Sequence, residues 1–184
     1  MGIFLRNFLL TLAFLGVSAI HLWMTVAFSY SYFSLNVYFV FLTFYLLLSG
    51  SGSVVWYAFL VFYIFEHYSS SPFGAILLSG VLTTLVTYFL YRNIFTNRSW
   101  YSAGILTALS VLIYWVCFFI STYIIASIAS VGALSFSQSG LMAVREIYSS
   151  VLVVVLLFFF ISRLYSSLGR EKVTASWFKS IQSS

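Results

Sequence analysis

From Asn7 to Tyr91 the chain carries one formally charged side chain, Glu66. A stretch of that length with one charge has no polar face with which to coat a globule. Across all 184 residues 62% are hydrophobic and 6% charged, and the mean hydropathy is +1.08. A soluble domain has about 25% charged residues. The chain therefore reads as membrane-embedded. Lipid offers the backbone no hydrogen-bond partners, so spanning segments must be helices or a closed barrel. Barrel strands would alternate in polarity over segments of roughly 10 residues. The apolar runs here are longer and do not alternate; Val151 to Ile161 is unbroken. The expected fold is all-α, a helical bundle forming one membrane domain.

A spanning helix needs about 20 residues to cross roughly 30 Å of hydrocarbon. On that measure six spans are expected. The first runs from Phe4 to Phe28 and the second, which is short, from Leu35 to Leu48. Ser49-Gly50-Ser51-Gly52-Ser53 is a break, since Gly and Ser mark turns. The third runs from Val54 to His67 and the fourth from Pro72 to Phe95. Pro72, the sole proline, suits a helix's first turn, with Ser71 as a natural N-cap. The fifth runs from Trp100 to Ser127 and the sixth from Glu146 to Tyr165. Between them, Ile128 to Leu141 is small and polar, an outer loop or a re-entrant segment. The domain is residues 1–165, followed by a polar basic tail over 166–184. Val17-Ser18-Ala19 loosely resembles a signal-peptide cleavage site, but the apolar run continues past it. An uncleaved first helix is the expectation.

Six spans put both termini on one side. Arg6, Arg92, Arg98, Arg163, Arg170, Lys172 and Lys179 then share that side, and Arg145 alone faces the other. Cytoplasmic flanks of membrane helices collect Lys and Arg, so both termini are assigned to the cytoplasm. The same asymmetry accounts for the net charge of +5 without a nucleic-acid partner. Asn97-Arg98-Ser99 matches a glycosylation acceptor but falls on the cytoplasmic side. Tyr30, Tyr32, Tyr68, Tyr91, Trp100, Tyr101 and Tyr165 cluster near span ends as an interfacial belt. Tyr45, Tyr57, Tyr63 and Tyr114 lie deeper and need partners inside the bundle.

Little in this composition serves chemistry. There is no aspartate, and the acids are three glutamates. Two histidines and one cysteine, Cys117, complete the reactive set. A single cysteine excludes an internal disulfide and any multi-cysteine metal site; at its position it reads as a small buried apolar residue. No phosphate-cradling glycine loop occurs. No catalytic, cofactor or metal site is expected. Glu66 is the most informative residue, because a carboxylate at membrane depth is costly and ordinarily faces protein or water. Two readings stand: an ion, proton or partner contact, or an interfacial carboxylate reaching water beside the turn. His67 points about 100° away from it on a helix. His21 should lie near the same leaflet, so a Glu66–His21 pair is geometrically available. Ser79-Gly80 and Gly104 are small residues that let helices approach closely. Arg145-Glu146 reads as a local ion pair at the start of the sixth helix, the acid favourable at its N-terminal dipole.

The stretch Glu66-His67-Tyr68-Ser69-Ser70-Ser71-Pro72-Phe73-Gly74 resembles a recurring feature of the bacterial rod shape-determining protein MreD family, roughly D-x-x-S-G-x-x-x-G. Glu66, Ser69 and Gly74 match, while Ser70 replaces the usual glycine. Asn36 matches the polar member of a Pro-Asp or Pro-Asn pair opening the second helix, with Leu35 in place of proline. Basic ends after the fourth and sixth helices, including Arg92 and Arg98, also sit where that family has them. The resemblance implies a non-enzymatic subunit of the cell-wall elongation complex in the bacterial cytoplasmic (inner) membrane. It would act through helix docking in lipid beside MreC-like, MreB-like and peptidoglycan synthase partners. Contact candidates are Glu66, Ser69, Gly74, Asn36, His21, Arg92 and Arg98. That fold looks similar to the substrate-binding subunits of energy-coupling-factor vitamin transporters, which are the alternative function class. Such a subunit would hold a ligand near the outer face, lined by aromatics such as Trp23, Tyr32 and Tyr68. No Ala-x-x-x-Ala docking motif appears in the first helix. Another small-molecule membrane carrier is the third class.

Overall fold

The arrangement follows from which helices are apolar on every side and which are not. The computed structural model describes residues 3–27, 35–69, 71–95, 99–129 and 136–168. They form six helices: α1 (Ile3–Ala27), α2 (Val37–Ser49), α3 (Val54–His67), α4 (Ala75–Asn93), α5 (Trp100–Ala129) and α6 (Phe136–Leu168). No strand occurs among the described residues. Four helices contain segments long and apolar enough to cross a membrane: Phe8–Thr25, Ala75–Asn93, Trp100–Ile125 and Gly140–Ile161. Helices α2 and α3 have 13 and 14 residues. At 1.5 Å per residue each is about 20 Å long.

Helix α2 is the centre of the bundle. Tyr38, Phe39, Val40, Leu42, Thr43, Tyr45, Leu46 and Leu47 are all buried, and α2 packs against α1, α3, α5 and α6. Its ends are built locally. The Asn36 side chain accepts from the Phe39 N–H at 3.2 Å, an N-cap. Gly50 closes the helix in the left-handed region at φ 61°, where its N–H donates to the Leu46 carbonyl. The turn after it lies beside the last turns of α4. A side chain at Gly52 would meet the Tyr88 ring at 3.2 Å, and one at Gly50 the Tyr91 ring at 3.7 Å. The α2–α3 turn thus reaches nearly the end of the bundle that carries Arg92.

Helix α4 is patterned inside out. Ala75, Ser79, Gly80, Thr83, Thr84, Thr87 and Tyr91 face inwards. Leu78, Leu82, Leu85 and Phe89 face outwards. Small inward residues let α4 lie close to both α3 and α5. Gly80 packs against the Phe62 ring of α3 so closely that any Cβ would overlap it. Gly104 of α5 does the same more loosely against Val151 and Val155 of α6. Aromatic rings fill the remaining centre: Phe14 of α1 stacks on Tyr57 of α3 at 4.7 Å, and Tyr38 meets Phe62 edge-on at 4.7 Å. Helix α1 is peripheral, with Phe14 and Ser18 buried and Phe8, Leu9, Leu12, Ile20 and Trp23 outward. An apolar exterior around a partly polar interior is what lipid favours, so the protein is described as membrane-embedded.

Several boundaries differ from the sequence expectation; α4 begins at Ala75 behind Gly74 rather than at Pro72 behind Ser71. Helix α5 continues to Ala129, and α6 begins at Phe136 rather than Glu146. Of the 128–141 segment only residues 130–135 lie outside the described residues, and the rest is helical. Helix α6 also runs on to Leu168, into the expected tail.

Candidate functional site

Two carboxylates organise the interior, one held across a short turn and the other by groups distant in the chain. The first is Glu66, in the last turn of α3, which is 4% exposed. The chain leaves α3 at Tyr68 and turns through Ser69, whose hydroxyl accepts from the Ser71 N–H at 3.0 Å. Gly74 then enters α4 at φ 94°, a left-handed conformation that favours glycine. That turn folds the start of α4 back over the end of α3. Glu66 Oε1 accepts from the Gly74 N–H at 2.8 Å, and Oε2 from the Leu77 N–H at 2.7 Å. The first N–H groups of a helix have no partner within it, and a carboxylate there also meets the positive end of the helix dipole. Glu66 is therefore the N-terminal cap of α4, supplied by the preceding helix.

The second carboxylate is Glu146, at 8% exposure. It lies about three turns inside α6. The expectation that Glu146 lies at a helix start is corrected, because α6 begins earlier. Glu146 Oε1 accepts from Asn36 Nδ2 at 2.6 Å, and Oε2 from Trp115 Nε1 at 2.8 Å. One turn on, the Ser150 hydroxyl accepts from the Asn36 N–H at 3.2 Å. The Asn36 amide thus serves two helices: Oδ1 caps α2 while Nδ2 reaches α6. Trp115 sits near the midpoint of α5, so the cluster lies deep in the bundle. It fastens α2, α5 and α6 at one point.

The remaining expected residues fall in different places. Glu66, Ser69 and Gly74 come together in the α3–α4 turn. His21 approaches that end of the bundle, its ring 4.8 Å from the ring of Phe65. The Glu66–His21 pair does not form: both Glu66 oxygens are on α4 amides, and His21 Nδ1 has no hydrogen-bond partner. Asn36 belongs to the Glu146 cluster instead. Arg92 is exposed at the far end of α4, its guanidinium donating to the Tyr88 hydroxyl at 3.4 Å. Arg98 and Tyr32 lie outside the described residues. Of the deep tyrosines, Tyr45 pairs with Ser53 at 3.0 Å, whereas Tyr63 is 45% exposed. Among the described residues no three His, Cys, Asp or Glu side chains gather as a metal site requires.

No family model, curated protein or solved structure matches the chain. Glu146, Trp115 and Ser150 were absent from the sequence candidates. The available signal was a glutamate followed immediately by an apolar run; reading the helix as starting ten residues earlier would have placed it at membrane depth.

Proposed function

We propose that this chain is a non-enzymatic membrane subunit of the bacterial cell-wall elongation complex, MreD-like in its role. One observation carries the reading: Glu66 bonds to the backbone of Gly74 and Leu77. The acid and the glycine of the resembling stretch then have a joint physical task. The acid caps the helix that the glycine opens, and the serine between them shapes the turn. A spacing held by such a linkage supports common architecture rather than shared composition. In this reading the chain crosses the cytoplasmic membrane six times with both termini inside. The nearness of the α2–α3 turn to Tyr88 and Tyr91 supports two short crossings rather than a shallow hairpin. Partners of the MreC, MreB and peptidoglycan synthase kinds dock on the lipid-facing helices and on the basic end at Arg92 and Arg98.

Purification of the tagged protein from its native membrane, followed by mass spectrometry, tests the assignment. Recovery of an MreC-like partner and of cell-wall synthases is the expected result. A tightly held vitamin-like molecule, with no such partner, would move the chain to the transporter-subunit class.

A further inference from the structure

Helices α4 and α5 meet along a line of hydroxyls rather than of apolar side chains. On α4, Ser79, Thr83 and Thr87 follow at intervals of four, so they stand one above another on one face. All three are fully buried. The upper and lower members reach across the seam. Ser79 Oγ, which donates to the Ala75 carbonyl, lies 3.4 Å from Ser121 Oγ, and Thr87 Oγ1 donates to Ser110 Oγ at 3.0 Å. Thr83, between them, makes no hydrogen bond at Oγ1. On α5, Ser102 Oγ and Thr122 Oγ1 are buried on the same terms. A row of small polar residues is ordinary helix-to-helix glue in lipid. An orphaned hydroxyl in the middle of the row is not, because buried polar groups are satisfied by protein or by ordered water.

We propose that the α4–α5 seam is an internal water-binding site centred on Thr83. Side chains one helical turn apart have Cβ atoms about 5–6 Å from each other. A water making two bonds of about 2.8 Å bridges that interval. The Thr83 hydroxyl supplies one partner. Thr87 Oγ1, which donates to Ser110, keeps acceptor capacity for a second. The water completes the rung that α5 does not supply, and the seam becomes a continuous polar line between the Ser121 and Ser110 levels. The inference stands whichever partner the bundle meets, since it concerns only its interior.

Radiolytic hydroxyl labelling of the full-length protein in nanodiscs, read by mass spectrometry, tests this. Bound water generates radicals in place, so short doses label its neighbours without bulk exposure. The turn around Thr83 is expected to label several-fold faster than the lipid-facing segment Leu152–Leu157 of α6. Thr83→Val keeps the shape and removes the hydroxyl, and should bring labelling down to that control level. Thr83→Ser keeps the hydroxyl and should preserve it. Labelling of the wild-type turn no faster than the control overturns the proposal without any variant. So does fast labelling that survives in Thr83→Val.

Discussion

Both oxygens of Glu66 sit on amides that α4 leaves without internal partners, and hydrogen bonds to charged groups contribute about 1.5–3 kcal/mol each. Glu66→Ala should therefore lower stability in detergent by about 2–4 kcal/mol, read by chemical denaturation followed by circular dichroism. Glu66→Gln keeps one acceptor and should fall between. An unchanged midpoint in Glu66→Ala would show that the cap contributes nothing. The Glu146 cluster makes a sharper claim, because it predicates coupling between residues far apart in the chain. A double-mutant cycle of Asn36→Ala and Glu146→Ala should give an interaction energy within the 0.5–3 kcal/mol typical of contacting groups; additivity would dissolve the cluster. The same residues show why part of the site was not legible in the sequence. Asn36 and Glu146 are separated by 110 positions, and nothing local to either one reports the other. Glu66 and Gly74, eight positions apart, could be read as one feature before their contact was seen.

At the scale of elements, the inward face of α4 decides the packing. Gly80 against Phe62 leaves no room for a methyl group. Gly80→Ala should cost about 1–3 kcal/mol, the usual range for overpacking, and Phe62→Leu in the same chain should recover part of it. A Gly80→Ala protein as stable as wild type would mean that α3 and α4 are farther apart than described. The first four helices were placed from sequence to within a few residues, because their ends are marked by local chemistry: Asn36, Gly50, and the turn into Gly74. The α5–α6 boundary was not. Small and polar residues mark a loop when they are also helix breakers, but the stretch from Phe136 has one glycine and no proline. It continues a helix that the apolar run after Glu146 had seemed to begin. Misplacing that start is what hid Glu146: at a helix's first turn an acid needs no explanation, and three turns in it does.

For the whole molecule, the unusual quantity is thickness. Helices α2 and α3 are about 20 Å long, against roughly 30 Å of hydrocarbon, while α5 and α6 exceed it. In the proposed six-span threading, a membrane around this bundle thins beside the exposed face of α3, where Trp56, Phe59 and Tyr63 point outwards, or a partner covers that face. In the same proposed threading, positive charge gathers at one surface and orients the rest. That arrangement is measured most directly by single-cysteine accessibility in a Cys117→Ser background, with an impermeant maleimide applied to intact cells and then to permeabilised ones. A cysteine at Phe73 should label in intact cells. Cysteines at Ser51 and Ser99 should label only after permeabilisation. Labelling of Ser99 from outside would contradict the threading on which the functional reading rests.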